Sequence, residues 1–117
     1  MYNKTTTFIA NEDLSGLMGY GVKMIAEMSG NLPKVAKAGQ GEDIDGAIVE
    51  PAKAGAPVTV LLKGDFALVH LGGTVTVNDA LAIDANGKFV KAEGGAVKVG
   101  KAYQSGVAGA YIKALLK

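Results

Sequence analysis

Gly46–Lys63 reads GAIVEPAKAGAPVTVLLK, and the chain says it again at its end. Slid forward by 54 residues, it lies without a gap on Gly100–Lys117, GKAYQSGVAGAYIKALLK. Gly46 falls on Gly100, Ala54-Gly55-Ala56 on Ala108-Gly109-Ala110, and Leu61-Leu62-Lys63 on Leu115-Leu116-Lys117. Val58 and Ile112 keep their character, as do Glu50 and Gln104. Each copy reads as an apolar strand, a turn of small residues, and a second strand of alternating pattern. Val58, Val60 and Leu62 share one face of that second strand, as period two requires. A repeat constrains the whole fold. A strand–turn–strand unit is used once in mid-chain and once to close the domain.

Outward from the two copies, the chain is punctuated by glycine. Thr5–Ile9 carries β-branched and aromatic strand formers, ended by Asn11-Glu12-Asp13. With little to pack locally, residues 1–10 read as an extended arm leading into a single β domain at 11–117. Leu14–Gly21 is a glycine-rich loop. Strands follow at Tyr20–Glu27 and Leu32–Lys37, turned by Ser29-Gly30-Asn31, and a polar loop spans Gly39–Asp45. Phe66–Leu71 is apolar on both faces, which reads as a central strand. Gly72-Gly73 comes next, then Val75 and Val77, a turn at Asn78-Asp79, and a strand at Ala80–Asp84. Asn86-Gly87 before Phe89-Val90 is the clearest hairpin signal, since Asn-Gly suits the two positive φ values of a type I′ turn. Ser29-Gly30-Asn31 precedes Leu32 in much the same way, which carries the duplication backwards across a gap. No window sustains a 3.6-residue period, and glycine interrupts almost every stretch long enough for a helix. The reading is all-β, a small single-domain sandwich or barrel of about nine or ten short strands.

Composition narrows the function. At 117 residues the chain makes one domain with a modest core. Hydrophobic residues make up 49% of it and the mean hydropathy is +0.23, high for so small a domain. No run approaches the roughly 18 apolar residues of a membrane span, and MYNKTTTFIANED lacks the layout of a signal peptide. With no cysteine, disulfides and thiolate metal sites are excluded, which points to synthesis in a cytosol. The net charge is +1 and all twelve basic residues are lysine. Without arginine or a dense lysine cluster the chain is a poor nucleic-acid reader. The lysines read as solubilising and edge-guarding residues.

Catalytic and cofactor chemistry is thinly represented. His70 is the lone histidine and sits in mid-strand, where a structural role outweighs that of a general base. Glu42, Asp43 and Asp45 share a loop but lack the alternating acids and closing glutamate of a calcium loop. Asp84 and Asn86 are explained by their hairpin. No glycine-rich loop precedes Lys-Ser or Lys-Thr, so no phosphate cradle is expected. Neither an enzyme nor any cofactor or metal is expected. Val22-Lys23-Met24 echoes the modified lysine of biotinyl and lipoyl carrier domains, yet Lys23 lies in mid-strand ahead of both copies rather than at a hairpin tip. An oligosaccharide-binding barrel would offer stacking aromatics. Here there is no Trp, and the four Tyr and three Phe are scattered along the sequence.

Several motifs, in order and spacing, resemble the capsid decoration, or cement, proteins of tailed bacteriophages. They are Asp13-Leu14-Ser15; Gly46-Ala47-Ile48-Val49 with Ala54-Gly55 and Val58-Thr59-Val60; Gly64; Asn78-Asp79-Ala80-Leu81 with Asp84 and Gly87; and Gly100-Lys101-Ala102 leading to Ala108-Gly109. The likeness runs from about Asn11 to Lys117, and Gln104-Ser105-Gly106 departs from it. It implies a β-tulip-like domain on the outer surface of an assembled head, made in the bacterial cytoplasm and bracing the major capsid protein, plausibly as a trimer. A carrier or ligand-binding β-barrel, or a tail or baseplate component, is the alternative. Thr5, Thr6, Thr7, Phe8 and Ile9 are then expected to add a strand to the capsid protein, the alternative being an edge strand of the domain itself. Phe66, Leu68, His70, Gly72 and Gly73 are the candidates for self-association, because both faces of that strand are apolar. No membrane or nucleic-acid partner is expected.

Overall fold

The strand pairing carries the duplication through the whole domain. The computed structural model describes residues 5–117. Ten strands and no helix occur among them: β1 (Thr5–Ala10), β2 (Gly21–Ser29), β3 (Leu32–Lys37), β4 (Gly46–Glu50), β5 (Pro57–Leu62), β6 (Phe66–His70), β7 (Ala80–Ile83), β8 (Phe89–Lys91), β9 (Gly100–Ala102) and β10 (Tyr111–Leu116). The first five close into a barrel in the order β1-β3-β2-β4-β5. The last five form a sheet in the order β6-β10-β9-β7-β8, whose ends are drawn together by a parallel bridge between Leu71 and Phe89. The two orders are the same cycle.

Registers match residue for residue. Gly46 opposes Leu62 and Ala47 opposes Leu61 in the first half; Gly100 opposes Leu116 and Lys101 opposes Leu115 in the second. The β1–β5 pairs Thr5↔Leu61 and Ile9↔Pro57 are repeated as Phe66↔Leu115 and His70↔Tyr111 between β6 and β10. The β2–β3 pair Met24↔Val35 recurs as Ile83↔Phe89, and the parallel pair Ala10↔Val35 recurs as the Leu71↔Phe89 bridge. Gly46 and Gly100 hold the same tight crossing. A Cβ on Gly46 would press on the Leu61 carbonyl oxygen, and one on Gly100 would lie 2.7 Å from that of Leu115. Even the turns agree, for Asn78 has φ 83° where its counterpart Gly19 has 84°.

The expected arm is corrected by this pairing. Thr5–Ile9 run antiparallel to β5 along their whole length, and Ile9 and Ala10 pair with β3 on the other side. Phe8, Ile9 and Ala10 are buried. The alternation that suggested a strand needing a partner is satisfied inside the barrel, so Thr5, Thr6, Thr7, Phe8 and Ile9 belong to the domain. The part of the arm call at residues 1–4 lies outside the described residues. Val75 makes a single bridge to Gly106. One smaller correction follows. Of Asn86-Gly87 only Gly87 takes a positive φ. The Asp84 carboxylate accepts from the Asn86 and Lys88 amides, giving a three-residue loop with glycine last.

Two apolar clusters fill the halves. Phe8, Ala10, Leu14, Val22, Val35, Ile48, Val58 and Val60 pack inside the first. Their counterparts Val69, Leu71, Val75, Leu81, Phe89, Ala102, Ile112 and Ala114 pack inside the second. The large ring has moved between copies, from Phe8 to Phe89, with Val69 and Val35 in the exchanged places. Volume is conserved while position is not, which cores tolerate well. The halves join through Ala38, Ile44, Ala47 and Leu61, first-half residues that belong to the second cluster. Gly21 admits the Ile83 side chain at this seam; a Cβ there would lie 2.8 Å from Ile83 Cδ1.

Candidate functional site

Alternation along β6, β9 and β10 sends one set of side chains into the second core and the other set outward. On β6, Ala67 and Val69 are buried, and on β10, Ile112, Ala114 and Leu116. Phe66, Leu68 and His70 therefore share the outer face with Tyr111, Lys113 and Leu115. The register lines them up in rows: His70 beside Tyr111, Leu68 beside Lys113, and Phe66 beside Leu115, which in turn adjoins Lys101. Tyr103, whose amide bonds to the Lys113 carbonyl at 2.9 Å, completes the surface.

Aromatic contacts knit this face together. The Tyr20 and His70 rings stack with centroids 5.3 Å apart, and His70 lies 4.6 Å from Tyr111 at a tilt. Phe66 and Tyr103 meet edge to face at 4.9 Å, a favourable geometry for π-systems. Lys101 Nζ sits 5.8 Å over the Tyr103 ring and Lys113 Nζ 5.9 Å over Phe66, within reach of the ring quadrupole. Tyr20 is brought in by Gly19, whose carbonyl accepts the His70 amide at 3.0 Å. A Cβ on Gly19 would lie 2.8 Å from that same nitrogen. Every tyrosine among the described residues is on this face or stacked against its end.

His70 is a packing residue here. Its Nδ1 is buried without a hydrogen-bond partner. Burial, and then the Lys88 charge, hold its pKa below the ordinary 6.5, with Asp84 acting weakly the other way. A neutral imidazole between two tyrosine rings has no orienting carboxylate bonded to it, which a general base would need.

The acids of the Gly39–Asp45 loop are engaged elsewhere. Lys23 reaches both Glu42 carboxylate oxygens at 2.7 and 2.9 Å, and Lys63 reaches Asp43 at 2.9 Å. Asp45 accepts the Met24 amide at 2.7 Å. The lysine contacts, ahead of backbone hydrogen bonding at Glu42 and ahead of opposing burial at Asp43, hold both carboxyls below their usual range. Lys23, in mid-strand on β2 and held by Glu42, is not the exposed tip that a carrier lysine requires.

Of the expected self-association residues, Phe66, Leu68 and His70 are brought together on the outer face, and Leu68 is 52% exposed. The apolar outer side of β6 reflects this open face and not a central position, for β6 ends its sheet. Gly72 and Gly73 lie beyond it, against the β7–β8 hairpin. A Cβ on Gly72 would collide with the Asp84 carboxylate, so that glycine serves packing. Sequence reading missed Tyr20, Lys101, Tyr103, Tyr111 and Lys113. The signal was present in the duplication: Tyr111 stands where the first copy has Pro57, Lys113 where it has Thr59, Lys101 where it has Ala47, and Tyr103 where it has Val49.

Beside Phe66 and Leu68 a pocket of about 270 Å³ opens at the seam between the halves, lined by Met18, Ile48, Val49 and Leu61 among others. Met18, Val49 and Leu68 are all at least a third exposed. The result is an apolar hollow running into an aromatic, lysine-bearing sheet face.

A twin five-stranded β module with an exposed apolar and aromatic sheet face is the class that the geometry defines. No family model matches the chain, and no curated protein matches it. Among solved structures it is similar to the head fiber gp8.5 N base of bacteriophage phi29, with a TM-score of 0.79 at 15% identity, over 97% of this chain and 92% of that one. At that identity the likeness is one of fold.

Proposed function

We propose that the protein is a structural component of a bacteriophage head, bound to the outer surface of the assembled shell and bracing neighbouring copies of the major capsid protein. The observation that carries the reading is the fold likeness to a phage head fiber base over nearly the whole of both chains. The motif resemblance to capsid decoration proteins points the same way from the sequence. The role needs a rigid module with a sticky face and no chemistry, which suits a closed barrel fused to a second five-stranded sheet with an exposed aromatic surface. On the shell the protein works as a symmetric cluster, with three copies at a local three-fold position. Closed symmetry satisfies such patches without runaway assembly, and the lattice holds weakly associating copies close together.

The test is to separate heads from tails of the encoding phage and ask which fraction binds purified protein in co-sedimentation. Saturable binding to empty heads supports the reading, and binding to tails alone replaces it with a tail component. A density map of decorated heads then reads the cluster directly. Isolated monomers without contact between neighbours would remove the trimer.

A further inference from the structure

Resting on that reading, we propose that the outer face of β6, β10 and β9, with the seam pocket at its edge, receives an extended acidic segment of a protein partner, one that carries a single large apolar side chain. The pocket supplies the anchor. Its volume of about 270 Å³ is several times the roughly 30 Å³ share of one water, and its apolar walls suit a leucine, methionine or phenylalanine. Buried anchors of this kind dominate protein interfaces.

Charge selects the rest of the segment. In the first half Lys23, Lys34 and Lys63 are each paired with a carboxylate. Among the described residues Lys101 and Lys113 have no such partner and are held over rings instead. Acids of the second half serve their own turns, Asp65 accepting from the Phe66 amide, Asp79 from the Thr76 amide and Asp84 from those of Asn86 and Lys88. Phe66, Leu68, His70, Lys101, Tyr103, Tyr111, Lys113 and Leu115 include no acid. Carboxylates must come from the partner, and complementarity of this sort governs partner choice and encounter rate.

The segment is extended because β6 ends its sheet. Beyond β10 on one side, its other edge has only the Leu71 bridge and the His70–Gly19 bond, which leaves Phe66–Leu68 beside the pocket without a strand. An exposed edge next to an apolar pocket is the arrangement by which sheets take up a peptide strand. A glycan is less well suited, since Tyr20 stacks on His70 and lysines stand over the Tyr103 and Phe66 rings that a sugar would use.

The duplication supplies an internal control. The first half builds the same strand order with Thr5, Thr7, Val49, Pro57 and Thr59 where the second has Phe66, Leu68, Tyr103, Tyr111 and Lys113. The fold does not need the aromatic and cationic set, so its presence in one half answers to something outside the chain.

Two experiments on the full chain decide it. In the first, isotope-labelled protein is titrated with a hexapeptide holding one phenylalanine among aspartates and glutamates, and followed by NMR. Amide shifts should concentrate at Met18, Val49, Phe66 and Leu68, and affinity should fall at least about fivefold when the phenylalanine becomes alanine or the acids become lysines. No shifts, shifts elsewhere, or equal binding of the lysine peptide would overturn the proposal. So would the same shifts produced instead by an acidic oligosaccharide.

In the second, Leu68→Asp and the pair Lys101→Glu with Lys113→Glu, all outward-facing, are compared with wild type in head co-sedimentation. Circular dichroism serves as the check on folding. Both variants should bind heads about tenfold more weakly or worse. If wild type and variants bind equally, the proposal fails while the proposed function stands. If wild type itself ignores heads, the function fails and the peptide titration still decides the proposal. If the variants only dissociate the free protein into monomers and leave head binding unchanged, the face is a contact between copies and the proposal is wrong.

Discussion

Phe8→Ala distinguishes a barrel strand from a detachable arm. Phe8 is 6% exposed and packs in the first-half cluster with Leu14, Val35, Ile48 and Val58. Removing a buried phenylalanine ring costs roughly 3–5 kcal/mol, because the surroundings only partly close over the cavity. A closed barrel stitched by β1–β5 pairing has little freedom to collapse, so the upper half of that range is expected. Domains of this size have total stabilities on the order of 5–15 kcal/mol, so the variant loses a large share of its margin. The melting temperature should drop by about 10–20 °C. With no tryptophan in the chain, far-UV circular dichroism in urea is the natural assay. Thr7→Ala, at an exposed position on the same strand, is the control and should stay within about 0.5 kcal/mol. Deleting residues 1–9 should unfold the domain outright. If Phe8→Ala costs less than about 1 kcal/mol, or the truncated chain keeps its cooperative transition, the barrel account of β1 is wrong.

Gly46→Ala should destabilise by about 1–3 kcal/mol in urea melts, since its Cβ would meet a backbone carbonyl and no side chain can swing aside; a neutral result would show that the β4–β5 crossing can relax. Asn78, at φ 83° where Gly19 has 84°, should tolerate glycine within about 0.5 kcal/mol yet lose about 1 kcal/mol on change to alanine. Equal effects would deny that backbone conformation decides this site. His70 is held below its ordinary pKa, first by burial and then by Lys88, so the unfolded chain takes up the proton first. Its contribution is whole above about pH 6.5 and is lost as pH falls through and below that value. His70→Phe should flatten urea midpoints between about pH 7.5 and 5.5, a window above the range in which Asp13, Glu42 and Asp43, all with lowered values, begin to protonate. An unchanged slope in that variant would place the titration elsewhere.

Much of the fold was legible because period two and glycine punctuation are local signals. The strands at Leu32–Lys37, Gly46–Glu50 and Pro57–Leu62 fall where alternation puts them. The ungapped repeat was also visible, since paired residues of β4–β5 and β9–β10 keep one constant offset in sequence. The relation of β1 to β6 was not. Thr5–Ala10 and Phe66–Leu71 share no identical residue, and the shift between equivalent residues changes along the chain as loops differ. Only pairing reveals it. The same blindness turned β1 into an arm, because the partner of a β-branched strand at one end of the chain lay some fifty residues away at β5. The candidate face was hidden for a related reason. Tyr20, Phe66, Tyr103 and Tyr111 are scattered in sequence and adjacent only after two sheets have formed.

The duplication also shows how the two halves come to present different surfaces. A module used twice has two copies of every face, and the contact between copies consumes different faces on each. In the first half Ile44 and Ala47 are buried at the seam, 2% and 1% exposed. Their counterparts Lys98 and Lys101 border an open depression together with Asn78, Ala80 and Gly100. Had those positions kept isoleucine and alanine, the second half would present the same apolar seat that the first half uses, free to take another module. Heterologous contacts of that kind propagate unless they close, and lysines on an exposed sheet oppose them by the cost of stripping water from a charge. The lysines at these two positions therefore remove that apolar seat from the second half. Lys101 also lies over the Tyr103 ring, so the differences between copies that remove the seat add positive charge beside the aromatic face.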